Sequence, residues 1–450
     1  MMNLVKDYKQ YFTPQKLAKY MVSIIPEKII TNVIDLSMGE CGLLEEARER
    51  WNNAELYGVD IDKILIKRIR IKSPYINTFH GDSLSCKLDK WGKYNNIVTG
   101  KGFDLAIANP PFNYFDQKYV LIQDEQRYLL PIEIRFLLKY IDIVRSNGYI
   151  CIILPYGFLS SDSYTKFRME LLKKVEILKI VKIFDGCFEK IDADTCLILM
   201  KKKNECEKNM QGEICIEYLD SNYNTCKLLR ANIELSNRWD IEYQDVQEKN
   251  RMFENNSQYI KTSFKQYIYS CRRGKTVTKH KELVCKNGKR YIHTTDVKKL
   301  YIDNHTPRFV NNDTHYFDDA FLYEKELLIG RVGRGCIGKV AIIHKKYPRM
   351  TFSDCVYAIR LQDVNPYYMA LFLATDIGQR QLKGASKGSC SRYITCEELS
   401  NITVFVPDTE RQVQWAKQYM KILSQSGRAN KEILLNALVE KLDEDIRRKG

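Results

Sequence analysis

Apolar residues along the first 200 positions fall into short blocks of two kinds. Compact runs with little polar interruption predict strands at Val33–Leu36, Leu56–Val59, Asn77–His80, Phe103–Ala108, Tyr149–Leu154, Leu178–Phe184 and Thr195–Met200. Between several of them the spacing is helical. Leu43–Trp51 is one such segment. Ile132–Val144 is another, with Ile132, Phe136, Leu137, Tyr140, Ile141 and Val144 on one face and a stop at Asn147-Gly148. Strands alternating with helices predict an α/β unit, a mostly parallel sheet covered on both faces. Lys201–Lys208 is a charged run that closes this unit, with Ile214–Tyr218 as one further strand. The polar stretch 221–258 reads as a linker. From about 259 the texture changes to short β-like runs with glycine turns, among them Leu327–Ile329, Lys339–Ile343 and Cys355–Leu361. Amphipathic helix follows from Glu410 to Arg448 (Val413, Ala416, Met420, Leu423; Leu435, Leu438, Leu442). The expected division is 1–220, a linker at 221–258, and an α+β unit with a C-terminal helix at 259–450.

Charge sharpens this division. The 450 residues carry 71 Lys+Arg against 56 Asp+Glu, a net +15. Residues 257–450 hold 34 basic and 20 acidic residues, whereas residues 1–256 hold 37 and 36. A basic half beside a neutral one predicts one part that holds a polyanion and one that does chemistry. The densest stretch, Lys261–Arg290, includes Arg272-Arg273-Gly274-Lys275. No apolar run reaches membrane length and residues 1–10 lack a signal-peptide core, so a cytoplasmic location is expected. The 14 cysteines include no Cys-x-x-Cys pair and the six histidines form no ligand-spaced cluster, so no structural metal is expected.

The candidate chemistry sits at strand ends, where open parallel sheets bind ligands. Asp35, Asp60, Asp82 and Asn109 each follow a predicted strand. Asn109 opens Asn-Pro-Pro-Phe: two prolines end the ladder rigidly and leave one amide and one ring at the tip. The Asn109 side-chain oxygen and the Pro110 carbonyl can accept the two hydrogens of an exocyclic amine while Phe112 stacks on its heterocycle. Pro111 holds the turn. Asp35 and Gly39 suit a turn beside the amino-acid end of a cofactor. Asp60 suits a ribose, and Asp82, in Gly81-Asp82-Ser83, suits an adenine amine.

In this order the motifs resemble the S-adenosylmethionine-dependent DNA amino-methyltransferases of restriction-modification systems, with cofactor motifs first and a target recognition domain last. The resemblance implies a Rossmann-like catalytic domain. It matches Tyr11-Phe12-Thr13-Pro14 to the leading cofactor motif, with Tyr11 and Thr13 near the cofactor. Asp35–Leu44 matches the glycine loop, Asp60 the ribose acid, Asp82 and Ser83 the adenine contact, and Asn109–Phe112 the catalytic motif. Phe188, in Gly186-Cys187-Phe188, matches a second aromatic against the target base. One departure is Cys41 at the loop's second glycine, which puts a side chain where the backbone approaches the cofactor. The C-terminal half is similar to type I specificity subunits over Leu327–Gly338, Ser353-Asp354-Cys355, Asn365–Tyr368, Gly384–Arg392 and Leu399–Pro407. There Arg272, Arg273, Lys275, Arg331, Arg334, Lys383, Lys387 and Arg392 are candidate DNA contacts.

The implied function is N6 methylation of an adenine flipped from duplex DNA, with S-adenosylmethionine as the cofactor and no metal. Cytosine-N4 methylation is the near alternative; RNA or a protein glutamine is a more distant substrate. A DNA-binding module with a decayed site rests on Cys41 alone. With motifs that begin at Tyr11, no fused nuclease is expected ahead of them; a separate endonuclease partner and a stand-alone role both stay open.

Overall fold

The computed structural model describes residues 12–85, 90–113, 116–122, 126–188, 194–204, 211–234, 236–252, 258–277, 283–284, 288–312, 320–333, 335–344, 350–388, 392–425 and 428–448. The chain divides into two compact units, Met1–Ile241 and Glu242–Gly450.

Unit 1 is built on a nine-stranded sheet. Its strands are β1 (Asn32–Asp35), β2 (Glu55–Asp60), β3 (Ile76–His80), β4 (Phe103–Ala108), β7 (Val144–Pro155), β8 (Val175–Lys182), β9 (Thr195–Lys202), β10 (Ile214–Leu219) and β11 (Thr225–Ala231). They lie in the order β11-β10-β8-β9-β7-β4-β1-β2-β3. The β7-β4-β1-β2-β3 part is parallel throughout. β9 runs antiparallel to both β7 and β8, and β11 antiparallel to β10, which makes the whole sheet mixed. A separate hairpin, β5 (Gln117–Ile122) with β6 (Gln126–Pro131), leaves the chain between β4 and β7.

Alternation along each apolar run sends successive side chains to opposite faces. Ile34, Ala106, Ala108 and Ile152 join one core; Val33, Leu105, Ile107 and Ile153 join the other. Helices α1 (Gln15–Ser23), α2 (Gly42–Arg50) and α3 (Lys63–Lys72) bury Leu17, Leu43, Leu44 and Leu65 in the second core. α4 (Gly92–Gly100), α5 (Ile132–Ile143) and α7 (Thr165–Lys174), the last preceded by the short α6 (Gly157–Ser160), bury Tyr94, Leu137 and Phe167 in the first. The helix expected to run to Val144 ends at Ile143, and β7 begins at once with Val144.

Residues 221–258, expected as a linker, instead carry β11 and the whole of α8 (Ile241–Met252). Their burial rests on few apolar positions. β11 buries only Leu229 and Ala231. α8 buries Gln244, Asp245 and Asn250, and Asn250 is satisfied by hydrogen bonds from Gln381 Nε2 (2.5 Å) and to Thr403 Oγ1 (3.2 Å). A hydrogen-bonded buried amide leaves no hydrophobic signature in sequence.

Unit 2 combines small sheets with helices. β13 (Ile268–Arg273), β20 (Val356–Leu361), β17 (Leu327–Gly330) and β18 (Val340–Ile342) form an antiparallel four-stranded sheet in that order. A second sheet orders β14 (Leu283–Val284), β16 (Arg308–Val310), β15 (Lys289–Ile292) and β19 (Thr351–Phe352), and β12 (Ile260–Ser263) pairs with β21 (Thr403–Val406). Helix α9 (Pro366–Ala374) is buried nearly all round. It is flanked by α10 (Asp376–Ala385), α12 (Thr409–Gln425) and α13 (Arg428–Arg447), and α11 (Cys396–Ser400) packs on α10. Among the described residues no helix is long and apolar enough to cross a membrane, and no group of His, Cys, Asp and Glu is placed to hold a metal.

Candidate active site

After β3 the chain crosses to the other side of β1 to form β4, so the sheet order reverses between β4 and β1. Crevices open outside the carboxyl ends of strands at such a reversal. The ends of β4, β1, β2 and the turn after β3 bring Asn109, Asp35, Asp60 and Asp82 side by side.

Two adjoining cavities occupy this crevice, sharing Phe12, Ser37, Gly39 and Asn109 in their walls. One, of about 310 Å³, is walled by Leu36, Ile61, Pro110, Pro111, Phe112, Ile132 and Phe136, with Asp60, Asp82 and Ser83 as its polar edge. The other, of about 390 Å³, is lined by Thr13, Asp35, Glu40, Glu45, Glu46 and Glu49, with Lys72 opposite. Lys72 is committed to Glu45 at 3.3 Å. A largely apolar compartment beside a carboxylate-lined one fits a molecule with a flat heterocycle at one end and a cation at the other.

The loop between β1 and α2 is held by its own acids. Asp60 accepts the Gly39 N–H (3.0 Å) and the Asp62 N–H (2.8 Å). Asp35 accepts from the Ser37 N–H (2.9 Å) and from the Tyr140 hydroxyl (3.3 Å), which itself accepts the Leu36 N–H (2.8 Å). Burial, opposed by the Ser37 bond and aided by the Asp60 charge, pushes the Asp35 carboxyl up to about 7. Burial also raises Asp60. Gly39 adopts φ +51°, and a Cβ there would meet the Phe12 ring at 3.3 Å. Cys41 too takes the left-handed conformation, φ 60°, as the residue before α2. Its side chain is wholly buried in the core under α2 and does not line either cavity. The loop therefore keeps a glycine-like backbone at Cys41, and the buried thiol, 3.7 Å from the Glu45 carboxylate, is not part of either cavity wall.

Asn109 Nδ2 donates to Thr13 Oγ1 at 3.1 Å, which turns the carbonyl edge of the amide away from Thr13. Ser83 is buried and its hydroxyl donates to the Leu36 carbonyl. The Asp82 carboxylate accepts the Leu84 N–H at 3.0 Å. Tyr11 lies outside the described residues. Phe188 does not join the cavity. It is 5% exposed, packed among the core residues on the α1–α3 face of the sheet, and the apolar pull of that core outweighs placement at the rim. Two contributors had no distinctive signal in sequence: Phe136 and Tyr140. Both read as core positions of a helix, and only the packing of α5 turns them toward the strand tips.

In unit 2, several residues expected at a DNA interface are instead held by acids of the same unit. Arg272 Nη2 donates to both oxygens of Glu326 (2.7 and 2.9 Å), a carboxylate only 1% exposed that also holds Arg360 at 3.3 Å. Lys387 is buried and pairs with Glu398 at 2.5 Å. Arg392 binds Glu242 on α8 at 2.8 Å, and Arg331 donates to the Asp354 carbonyl at 2.8 Å. The exposed Arg273 stands 3.7 Å from Asp354. Lys275 is half-buried at the start of the loop after β13. Lys383 is exposed beside Asp376, Asp443 and Glu444. Arg334 lies outside the described residues. Arg272, Arg331, Lys387 and Arg392 thus hold the fold of unit 2, a correction that follows from pairings between residues 11 to 150 positions apart in sequence.

The pattern of the N-6 DNA Methylase family matches residues 2–283, and that of the type I restriction modification DNA specificity domain matches residues 268–440. A protein of Methanocaldococcus jannaschii, provisionally named a type II restriction enzyme and methyltransferase, is 25% identical over 111 residues, 24% of this chain and 9% of its own length. Among solved structures, the type IIG restriction endonuclease BpuSI aligns with 97% of this chain and 66% of its own, at 13% identity and a TM-score of 0.43. The type I EcoKI M protein aligns with 48% and 50%, at 17% identity and 0.36. The type I restriction-modification methyltransferase subunit of Streptococcus thermophilus aligns with 46% and 47%, at 19% identity and 0.38. In each comparison the matched region spans less than two thirds of the relative's own length.

Proposed function

The chain belongs to the N-6 DNA methylase family, and on that premise we propose that it is a sequence-specific DNA methyltransferase acting on the N6 amine of an adenine drawn out of the duplex. The observation that carries this reading is the meeting of Asn109, Pro110 and Phe112 with Asp35, Asp60 and Asp82 around one crevice. The two-compartment crevice fits S-adenosylmethionine, whose sulfonium supplies an already activated methyl group when bound.

The protein's own residues address the remaining obstacle. An adenine amine is planar, its lone pair drawn into the ring. The Asn109 side-chain oxygen and the Pro110 carbonyl accept its two hydrogens, which favours a tetrahedral nitrogen and stabilises positive charge growing there. Phe112 stacks on the extruded base, offsetting part of the few kcal/mol, roughly, that unstacking costs. Thr13 orients the Asn109 amide, Asp60 serves the ribose, Asp82 with Ser83 serves the adenine edge of the cofactor, and the carboxylates of the second cavity serve its ammonium. Unit 2, by its likeness to a specificity domain and its basic excess, is the part that reads the target sequence.

The test is methyl transfer from labelled S-adenosylmethionine to duplex DNA with nucleoside analysis. N6-methyladenine is the expected product. N4-methylcytosine would keep the grip and change the base, and unlabelled DNA with cofactor still bound would overturn the reading.

A further inference from the structure

Helix α5 touches three parts of the crevice. Ile132 and Phe136 line the cavity that also holds Phe112. A turn further on, the Tyr140 hydroxyl meets Asp35 and the Leu36 N–H. At the start of the helix, the Glu133 carboxylate accepts the Asn113 N–H at 3.3 Å. Glu133, Phe136 and Tyr140 follow one another at intervals of three and four residues. That spacing sets them in one stripe along about 10 Å of helix.

The bond from Asn113 acts on Phe112. A peptide unit is planar, so holding the Asn113 N–H also holds the Phe112 carbonyl and the direction in which the chain leaves Phe112. Pro110 and Pro111 restrict the chain before it. Phe112 thus stands between two fixed segments. The second is tied again by the Asp116 N–H, which donates to the Asn113 carbonyl at 3.0 Å, and by Arg135 of α5, which pairs with Asp116 at 2.8 Å.

The fold by itself has little use for a carboxylate at this position. Glu133 is 3% exposed, and its chain neighbours Ile134 and Leu137 belong to the core. Burial raises its pKa above the usual carboxylate range, opposed by the bonds from its own N–H and from Asn113 and by the Arg135 charge. A first-turn acid can serve its helix from the surface. Burial adds the reach to Asn113.

We propose that Glu133 is a positioning residue for methyl transfer: by accepting the Asn113 N–H it sets the Phe112 ring against the target base, and α5 ties that ring to the β1–α2 loop. This rests on the reading of the chain as a DNA methyltransferase. Glu133 touches neither substrate nor cofactor and acts through Phe112.

The test uses the full-length protein and a duplex whose target adenine has been located by sequencing DNA modified by the wild type. Glu133→Met fills a similar volume without an acceptor. Its thermal midpoint stays within about 3 °C of the wild type, because an apolar residue suits a buried site. Its cofactor affinity by calorimetry stays within about twofold, while kcat falls about tenfold or more. Glu133→Gln keeps an acceptor oxygen and restores kcat to within about threefold of the wild type. In the Phe112→Ala background, Glu133→Met lowers kcat by less than about twofold further, since the ring it positions is gone.

Full turnover by Glu133→Met overturns the proposal. So does a loss accompanied by a lowered midpoint and weakened cofactor binding, which makes Glu133 a structural residue. Failure of Glu133→Gln to restore kcat overturns the acceptor role, and additive losses with Phe112→Ala overturn action through the ring. A wild type that methylates no DNA removes the underlying reading, and that failure is distinct because it is seen before any variant is compared.

Discussion

Asp35 has no solvent to keep it charged, and burial raises its pKa into the neutral range. Its folded-state pKa, about 7, lies above the ordinary 3.8. The folded protein therefore favours the protonated form. That stabilisation is complete below about pH 4 and is lost as pH rises to about 7. Urea melts of the ligand-free protein should show stability falling across this window, and Asp35→Asn should flatten that part of the profile. Asn109 calls for a different measurement. Its amide bonds Thr13 and walls both cavities, so Asn109→Ala should lower kcat by about a hundredfold or more, the scale of losing a preorganised acceptor. Cofactor affinity by calorimetry should shift only a few-fold by comparison. Unchanged turnover would refute the role given to the amide. Cys41 carries a narrower lesson. A residue that breaks the glycine pattern still adopts φ 60°, at a cost of order 1 kcal/mol for a non-glycine residue. Burial of its thiol in the core offsets that cost.

At the scale of elements, the basic residues of unit 2 act as ties between segments. Lys387 follows α10 and pairs with Glu398 on α11. Breaking a fully buried pair costs about 3–5 kcal/mol. Glu398 keeps 22% exposure, so Lys387→Ala should cost less, on the order of 2 kcal/mol. The check is a lowered thermal midpoint with DNA affinity little changed at temperatures where the variant is folded; a large loss of affinity with no loss of stability would restore Lys387 to the DNA interface. β1, β2, β4, β7, β8 and β9 were legible because each carries a concentrated apolar run. The elements that escaped sequence reasoning, among them β5, β6, β11 and α8, alternate or mix polar residues. Their burial is decided by neighbours: β11 by the edge of a sheet already formed, α8 by hydrogen bonds to Gln381 and Thr403.

At the scale of the whole molecule, each unit has its own apolar cores, and none of these clusters draws on both. Basic excess is confined to the second half of the chain. Internal pairing of Arg272, Arg331, Lys387 and Arg392 lowers the number of cations available to phosphates without removing the long-range field. DNA affinity should accordingly fall steeply with salt, by about tenfold or more between 50 and 200 mM if several phosphates are neutralised. Titration at four or five salt concentrations gives the slope, and a flat response would count against a polyanion-binding role for unit 2.

The order of motifs along the chain was enough to name the strand tips, because a strand end, an acid and a rigid Asn-Pro-Pro-Phe turn are local features. Their convergence was not local. It depends on the chain crossing from β3 to the far side of β1, which sets Asn109 beside Asp35 rather than beyond Asp82. Which cations face solvent and which close the fold was likewise decided in three dimensions. Arg272 and Glu326 are 54 residues apart, Arg392 and Glu242 are 150 apart, and composition records the charge of each without its partner. The same holds for Phe188 and Phe112: each is an aromatic beside a turn, and only packing sends one into the core and the other to the cavity wall.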